Sequence, residues 1–125
     1  MTQLVLVVDD EPNIVLSLEF LMKQAGLEVR TAADGKAALD AVRAEAPNLV
    51  LLDISMPNGD GFEVCRAIRA NPAWADIRII MLTAKGGEAE RKEGLAAGAD
   101  DYITKPFSTR EVLERVKAQI GGDRP

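Results

Sequence analysis

Apolar residues fall in two distinct rhythms along this chain. Leu4-Val5-Leu6-Val7-Val8, Leu49-Val50-Leu51-Leu52 and Ile79-Ile80-Met81-Leu82 are unbroken apolar runs. Runs of that length bounded by polar or turn residues read as strands covered on both faces. Leu27 to Ala32 alternates apolar with polar, and Tyr102-Ile103-Thr104 is short, so both are expected at sheet edges. Between these strands the period lengthens. Ile14, Leu18, Leu21 and Met22 recur at helical spacing, and Ala25-Gly26-Leu27 is the stop signal after them. Asp34-Gly35 opens an alanine-rich helix that ends before Pro47. A third helix is expected from about Gly61 to Asn71, followed by a loop with Pro72 and Trp74. A charged helix spans roughly Glu88 to Ala97 and stops at Gly98. Ser108-Thr109-Arg110-Glu111 has the form of a capping box, opening a helix whose apolar side is Val112, Leu113, Val116 and Ile120.

Five alternating strand–helix units predict an α/β fold of three layers, a parallel sheet between two layers of helices. Right-handed crossovers with the continuous strands central give the order 2-1-3-4-5. The chain then reverses direction across the sheet between strands 1 and 3. In such folds the ligand site lies beyond the carboxyl ends of the strands at that switch point.

The chain has 125 residues, the size of a single domain with a core of its own. No apolar run approaches the ~20 residues of a membrane span. With no signal sequence discernible and one cysteine, Cys65, a cytoplasmic location is expected. Cys65 is expected to be a small buried hydrophobe and Trp74 to lie on the domain surface. A net charge of -5 argues against direct nucleic-acid binding. Histidine is absent, which excludes Ser-His, Cys-His and His-metal chemistry within the chain. Carboxylates, hydroxyls, lysine or a bound ion must carry any activity.

Such residues occur at the strand ends: Asp9-Asp10-Glu11 after the first strand, Asp53 after the third, Thr83 after the fourth and Lys105 after the fifth. Singly, each has a structural explanation. Asp9-Asp10-Glu11-Pro12 fits a helix start, Asp53 a turn, Thr83 a helix cap and Lys105 a solvated side chain. Together they imply more. Two carboxylates ~4 Å apart repel by roughly 4 kcal/mol at an effective dielectric near 20. Gathering Asp9, Asp10 and Asp53 therefore calls for a cation, and an all-oxygen donor set selects Mg²⁺, with Mn²⁺ or Ca²⁺ as alternatives. Asp53 could then act as a carboxylate nucleophile toward phosphorus, with Lys105 and Thr83 holding the phosphoryl oxygens.

Over essentially its whole length the chain resembles the receiver domain of two-component response regulators. The resemblance is carried by Val7-Val8-Asp9-Asp10-Glu11, Leu52-Asp53-Ile54-Ser55-Met56-Pro57-Asn58-Gly59-Asp60-Gly61, Met81-Leu82-Thr83-Ala84, Gly98-Ala99-Asp100-Asp101-Tyr102 and Lys105-Pro106-Phe107. It implies a flavodoxin-like, CheY-like fold, with a receiver over residues 1–120 and a tail or linker remnant at 121–125. It implies a phosphorelay switch rather than an enzyme, catalysing at most its own phosphorylation and dephosphorylation. Asp53 would be the phospho-acceptor, served by a sensor histidine kinase or a histidine phosphotransfer protein. Mg²⁺, or Mn²⁺, would be held by Asp10, Asp53 and the Ser55 carbonyl, and by Asp9 through water. Thr83, the Ala84 amide and Lys105 would bind the phosphoryl group, with Lys105-Pro106 cis. Met56, Pro57, Gly61 and Pro106 would shape the surrounding loops.

The resemblance also implies that Thr83 moves toward the phosphate and Tyr102 turns inward behind it. The charged helix from Glu88, preceded by Gly86-Gly87 and bearing only Leu95 as a large apolar residue, is expected to shift. Ser55 and Lys85 sit where the family sets phosphate lifetime. Arg91, Asp100, Asp101, Glu111 and Arg115 are similar to the face through which the OmpR/PhoB type forms a phosphorylation-dependent homodimer. That type continues into an output domain, so the output is expected to be a downstream protein or a fused domain. Two rival functions fit less well. A haloacid-dehalogenase-type phosphatase needs an acid two residues after its nucleophile, where Ser55 stands. An FMN carrier needs a phosphate loop where Asp9-Asp10-Glu11 stands. The complete acidic set, with Thr83 and Lys105, also disfavours a degenerate receiver used only for docking.

Overall fold

The computed structural model describes residues 3–56, 60–84 and 88–120. Expectations placed on Pro57, Lys85, Gly86, Gly87 and the 121–125 tail lie outside the described residues.

In chain order the elements are β1 (Leu4–Val8), α1 (Pro12–Gln24), β2 (Glu28–Ala32), α2 (Gly35–Ala44), β3 (Leu49–Asp53), α3 (Asp60–Ala70), β4 (Arg78–Thr83), α4 (Glu88–Ala97), β5 (Asp101–Thr104) and α5 (Thr109–Ile120). The five strands form one parallel sheet in the order β2-β1-β3-β4-β5, as the apolar patterns require. Every residue of β1 and β3 is buried, as is all of β4 beyond Arg78. β2, at one edge, buries only Ala32.

Successive strand residues point to opposite faces, and each face has its own core. Leu6, Val8, Val50, Leu52, Ile79 and Met81 pack with Ala38 and Val42 of α2, Val64, Cys65 and Ile68 of α3, and Ala97 of α4. Val5, Val7, Leu49, Leu51, Ile80, Leu82 and Ile103 pack with Leu18 and Met22 of α1 and with Val112, Val116 and Ile120 of α5. Each fully buried Leu, Ile or Val contributes roughly 1.5–3 kcal/mol relative to exposure. No helix among the described residues is long and apolar enough to cross a membrane.

The helix ends follow local chemistry. Gly26, at φ +86°, ends α1: its N–H donates to Lys23 O and the Leu27 N–H to Met22 O, which satisfies two terminal carbonyls. Asp34 accepts the Ala37 N–H and Ser108 Oγ the Glu111 N–H, opening α2 and α5. Glu111 does not turn back to complete a capping box; its carboxylate meets Arg115, 3.5 Å away. Trp74 departs from expectation. It closes a 3-10 turn, Pro72–Trp74, capped by Asn71, and lies half-buried against the α2–α3 core. The turn folds it back onto apolar neighbours rather than leaving it on the surface.

Candidate functional site

Strand register builds the site. Val8 pairs with Leu52, Leu52 with Met81, and Thr83 with Thr104. The residues that end these strands therefore emerge along one rim. Asp9, Asp10 and Asp53 each offer a carboxylate oxygen there, all within 4.8 Å of one another. Asp9 and Asp53 are each only 1% exposed, whereas Asp10 faces solvent.

Backbone donors fix the two buried acids. Asp9 Oδ1 accepts the Glu11 N–H at 2.9 Å, and Asp53 Oδ1 accepts the Ser55 N–H at 2.8 Å. Lys105 supplies the positive charge. Its Nζ lies 3.1 Å from Asp9 Oδ2, 3.2 Å from Glu11 Oε1 and 3.6 Å from Asp53 Oδ1. Burial raises the Asp53 carboxyl to about 6, and neighbouring Asp9 pushes the same way. The Ser55 amide and Lys105 oppose them. Burial alone would lower the Lys105 ammonium, but the surrounding carboxylates, Asp53 first, outweigh it and leave its pKa raised. Three clustered carboxylates, with Glu11 also drawing on Lys105, are a donor set that one lysine leaves short of positive charge. Its all-oxygen chemistry fits a hard divalent cation.

The other expected residues surround this core. Lys105-Pro106 is cis, and the Lys105 N–H donates to Thr83 O. Met56 is buried in the α2–α3 core, just past the acids. Gly61 lies against the chain after Asp53: a Cβ there would stand 2.6 Å from Ile54 Cα and 2.8 Å from Asp53 O. The Ala84 N–H donates to Ser55 Oγ at 3.2 Å, joining the loops after β3 and β4. Thr83 is fully buried and donates its hydroxyl to the Glu90 carboxylate of α4. Tyr102 is half-buried against the α2–α3 core, with the side chains of Thr83 and Thr104 near its hydroxyl.

The proposed dimer face divides. Arg91, Asp101, Glu111 and Arg115 line one polar cavity of about 440 Å³ with Tyr102 and Thr104. Arg115 bridges it, 2.8 Å from Asp101 and 3.1 Å from Tyr102 O. Asp100 is not part of it. Its carboxylate accepts Arg69 and the Ile79 N–H, both at 2.8 Å, and lies near Arg78. Neighbouring residues of an extended segment point oppositely, so Asp100 ties α3 to β4 while Asp101 faces α5.

Three features escaped the sequence reading. Glu11 shares Lys105, and Glu90 holds Thr83. Leu16 and Phe20 of α1 are 63% and 65% exposed. Only the last had a signal, since α1 carries more large apolar residues than one buried face accommodates.

Comparison with known proteins accords with this geometry. The family model for the response regulator receiver domain matches residues 5–117. The fold superposes on the chemotaxis protein CheY4 of Vibrio cholerae with a TM-score of 0.91 at 32% identity, covering 96% of this chain and 100% of that one. A CheY-like response regulator receiver domain protein from Methanospirillum hungatei JF-1 gives 0.90 at 30% identity, covering 97% and 95%. DrrB, an OmpR/PhoB homologue of Thermotoga maritima, gives 0.86 at 35% identity, covering 97% of this chain and 54% of that longer one. The acids, threonine and lysine that the strand register gathers at one rim, together with the family match across nearly the entire chain, lead to one assignment: this chain belongs to the response regulator receiver domain family, the signalling module of two-component phosphorelays.

Proposed function

We propose that Asp53 is the phospho-acceptor of this receiver. The observation that carries the reading is the rim itself: Asp53, buried and raised to about 6 at the end of β3, with Asp9 and Asp10 converging on it from the end of β1 and Lys105 from the end of β5. The donor is a phosphohistidine on a sensor histidine kinase or histidine phosphotransfer protein. An Asp53 carboxylate oxygen attacks phosphorus, the phosphorus–nitrogen bond breaks, and the imidazole leaves with its electron pair and takes a proton. The Ser55 N–H holds Oδ1 in place during attack. Lys105 shifts from Asp9 and Glu11 toward the new phosphoryl oxygens. The Thr83 hydroxyl and the Ala84 N–H supply further donors, which is the positioning work phosphoryl transfer needs.

Asp9, Asp10, Asp53 and the Ser55 carbonyl would hold Mg²⁺, with Mn²⁺ as a substitute. When bound, the ion neutralises charge on the acids and on the entering phosphoryl group. Ser55 stands where a phosphomonoesterase of the aspartyl-phosphate kind carries its acid, so the group remains on Asp53 as a signal.

The donor protein docks along α1. A cavity of about 450 Å³ runs from Asp9 and Asp10 past Val15 to Leu16, continuous with the rim. Exposed Leu16 and Phe20 extend it as apolar surface. The output leaves through Thr83 and Tyr102 to the face of α4, β5 and α5, where Arg91, Asp101, Glu111 and Arg115 meet a second copy, a downstream protein or a fused output domain. The test is incubation with Mg²⁺ and a small phosphodonor followed by intact mass. Wild type gains one phosphoryl group and Asp53→Ala none; incorporation into Asp53→Ala would reject the assignment.

A further inference from the structure

A threonine hydroxyl has one proton to donate. That of buried Thr83 goes to the carboxylate of Glu90, in the first turns of α4. Glu90 is half-buried, with the Tyr102 hydroxyl close enough for both Thr83 and Glu90 to influence it. The rest of α4 is unevenly held. At its C-terminal end Cys65 Sγ donates to Ala97 O at 3.3 Å, and Arg69 Nε to Gly98 O at 2.8 Å. Gly98, at φ +112°, is packed beneath Arg69. The helix itself buries only Gly94 and Ala97, and Leu95 is 47% exposed. The beginning of α4 thus lacks a large apolar anchor. Among the described residues, the Thr83–Glu90 bond ties it to the sheet, while Arg66 and Glu93 form an exposed pair 3.6 Å apart further on.

We propose that Glu90 is the positioning residue of the switch: it takes the Thr83 hydroxyl in the unphosphorylated protein and loses it when Asp53 carries a phosphoryl group, releasing the start of α4. The inference rests on Asp53 being the acceptor. Two anions compete for one donor. Phosphorylation must break the Glu90 bond before Thr83 can serve the phosphoryl oxygens, so the energy of that bond is subtracted from phosphoryl binding. Release pivots on the end fixed by Cys65, Arg69 and Gly98. Glu90 touches none of the reacting atoms and acts through Thr83.

The experiment uses the whole chain with saturating Mg²⁺ and beryllofluoride as the phosphoryl mimic. Hydrogen bonds to charged groups are strong enough that Glu90→Ala should tighten beryllofluoride binding roughly tenfold or more, with Glu90→Gln between it and wild type. In the absence of beryllofluoride, amide exchange over residues 88–93 should rise in Glu90→Ala, while β3 stays protected. In a Thr83→Ala background the Glu90→Ala substitution should change beryllofluoride binding no further, because the shared donor is gone. Equal or weaker binding by Glu90→Ala, or the same gain without Thr83, overturns the latch. A wild type that binds no beryllofluoride overturns the acceptor reading and the latch with it. A wild type that binds, with Glu90→Ala unchanged, overturns the latch alone.

Discussion

Lys105 and Asp9, 96 positions apart in the chain, meet at 3.1 Å in the floor of the rim. The side chain of Asp9 is wholly buried and that of Lys105 nearly so. The ammonium also reaches Asp53 and Glu11, so one side chain balances three acids. It occupies the electrostatic role that a divalent cation held by Asp9, Asp10 and Asp53 would share.

That relationship predicts the behaviour of Lys105→Met. Removing one partner of a buried ion pair leaves the other charged and unpaired, at a cost of about 3 kcal/mol. In chelator the variant should lose roughly that much stability by denaturant titration. Mg²⁺ should restore more to the variant than it adds to wild type. Identical magnesium shifts in melting temperature would show that lysine and cation do not share a function.

The Asp53 carboxyl predicts a pH dependence. Its value of about 6 in the folded chain exceeds the ordinary value of 3.8. Between those pH values the folded state binds the extra proton, so the stabilising contribution is complete below about pH 4 and is lost as pH rises through about 6. The total is at most about 3 kcal/mol. Asp53→Asn cannot titrate. In metal-free buffer the stability of wild type relative to this variant should fall across pH 4 to 7 and then level off. A difference that stays flat over that range would refute the desolvation argument.

Gly61 and Gly26 are required for different reasons, and alanine should separate them. At Gly61 a Cβ would meet backbone of Ile54 and Asp53, so the main chain itself has to shift. Gly61→Ala should lose about 1–3 kcal/mol by overpacking and should slow phosphoryl uptake, since the acceptor loop must move. At Gly26 nothing lies within 4 Å, but φ is +86°. Gly26→Ala should lose about 1–2 kcal/mol from left-handed strain and leave uptake intact. Denaturant titration and intact mass distinguish the two.

Cys65 predicts a chemical silence. Its thiol is fully buried, and burial pushes it up to about 11. At pH 8 about one molecule in a thousand would carry the thiolate that alkylating reagents need. Labelling of the native protein should therefore track global unfolding and accelerate with denaturant. Rapid labelling without denaturant would place Cys65 in an open region.

Much of this architecture was legible before any coordinates. Unbroken apolar runs marked β1, β3 and β4 as central, the alternation of β2 and the brevity of β5 marked edges, and strand order followed. Since side-chain period dictates which faces are buried, one dimension sufficed to locate Asp9, Asp53, Thr83 and Lys105 at strand ends. The helix stop at Gly26 was equally visible, because its left-handed backbone suits glycine.

Where each of those groups sends its charge or proton was another matter. Glu90 is an ordinary acid on a charged helix until the placing of α4 beside β4 brings it to Thr83. Asp100 and Asp101 are adjacent and chemically identical, yet one joins Arg69 and the other Arg115. Trp74 settles inward because its turn closes over the α2–α3 core. Sequence by itself determined the fold, the rim and the chemical types gathered there, since strand and helix periods are local properties of the chain. Tertiary structure alone decided the pairings, because a hydrogen bond or ion pair is set by ångström-scale distances between segments that no local pattern encodes.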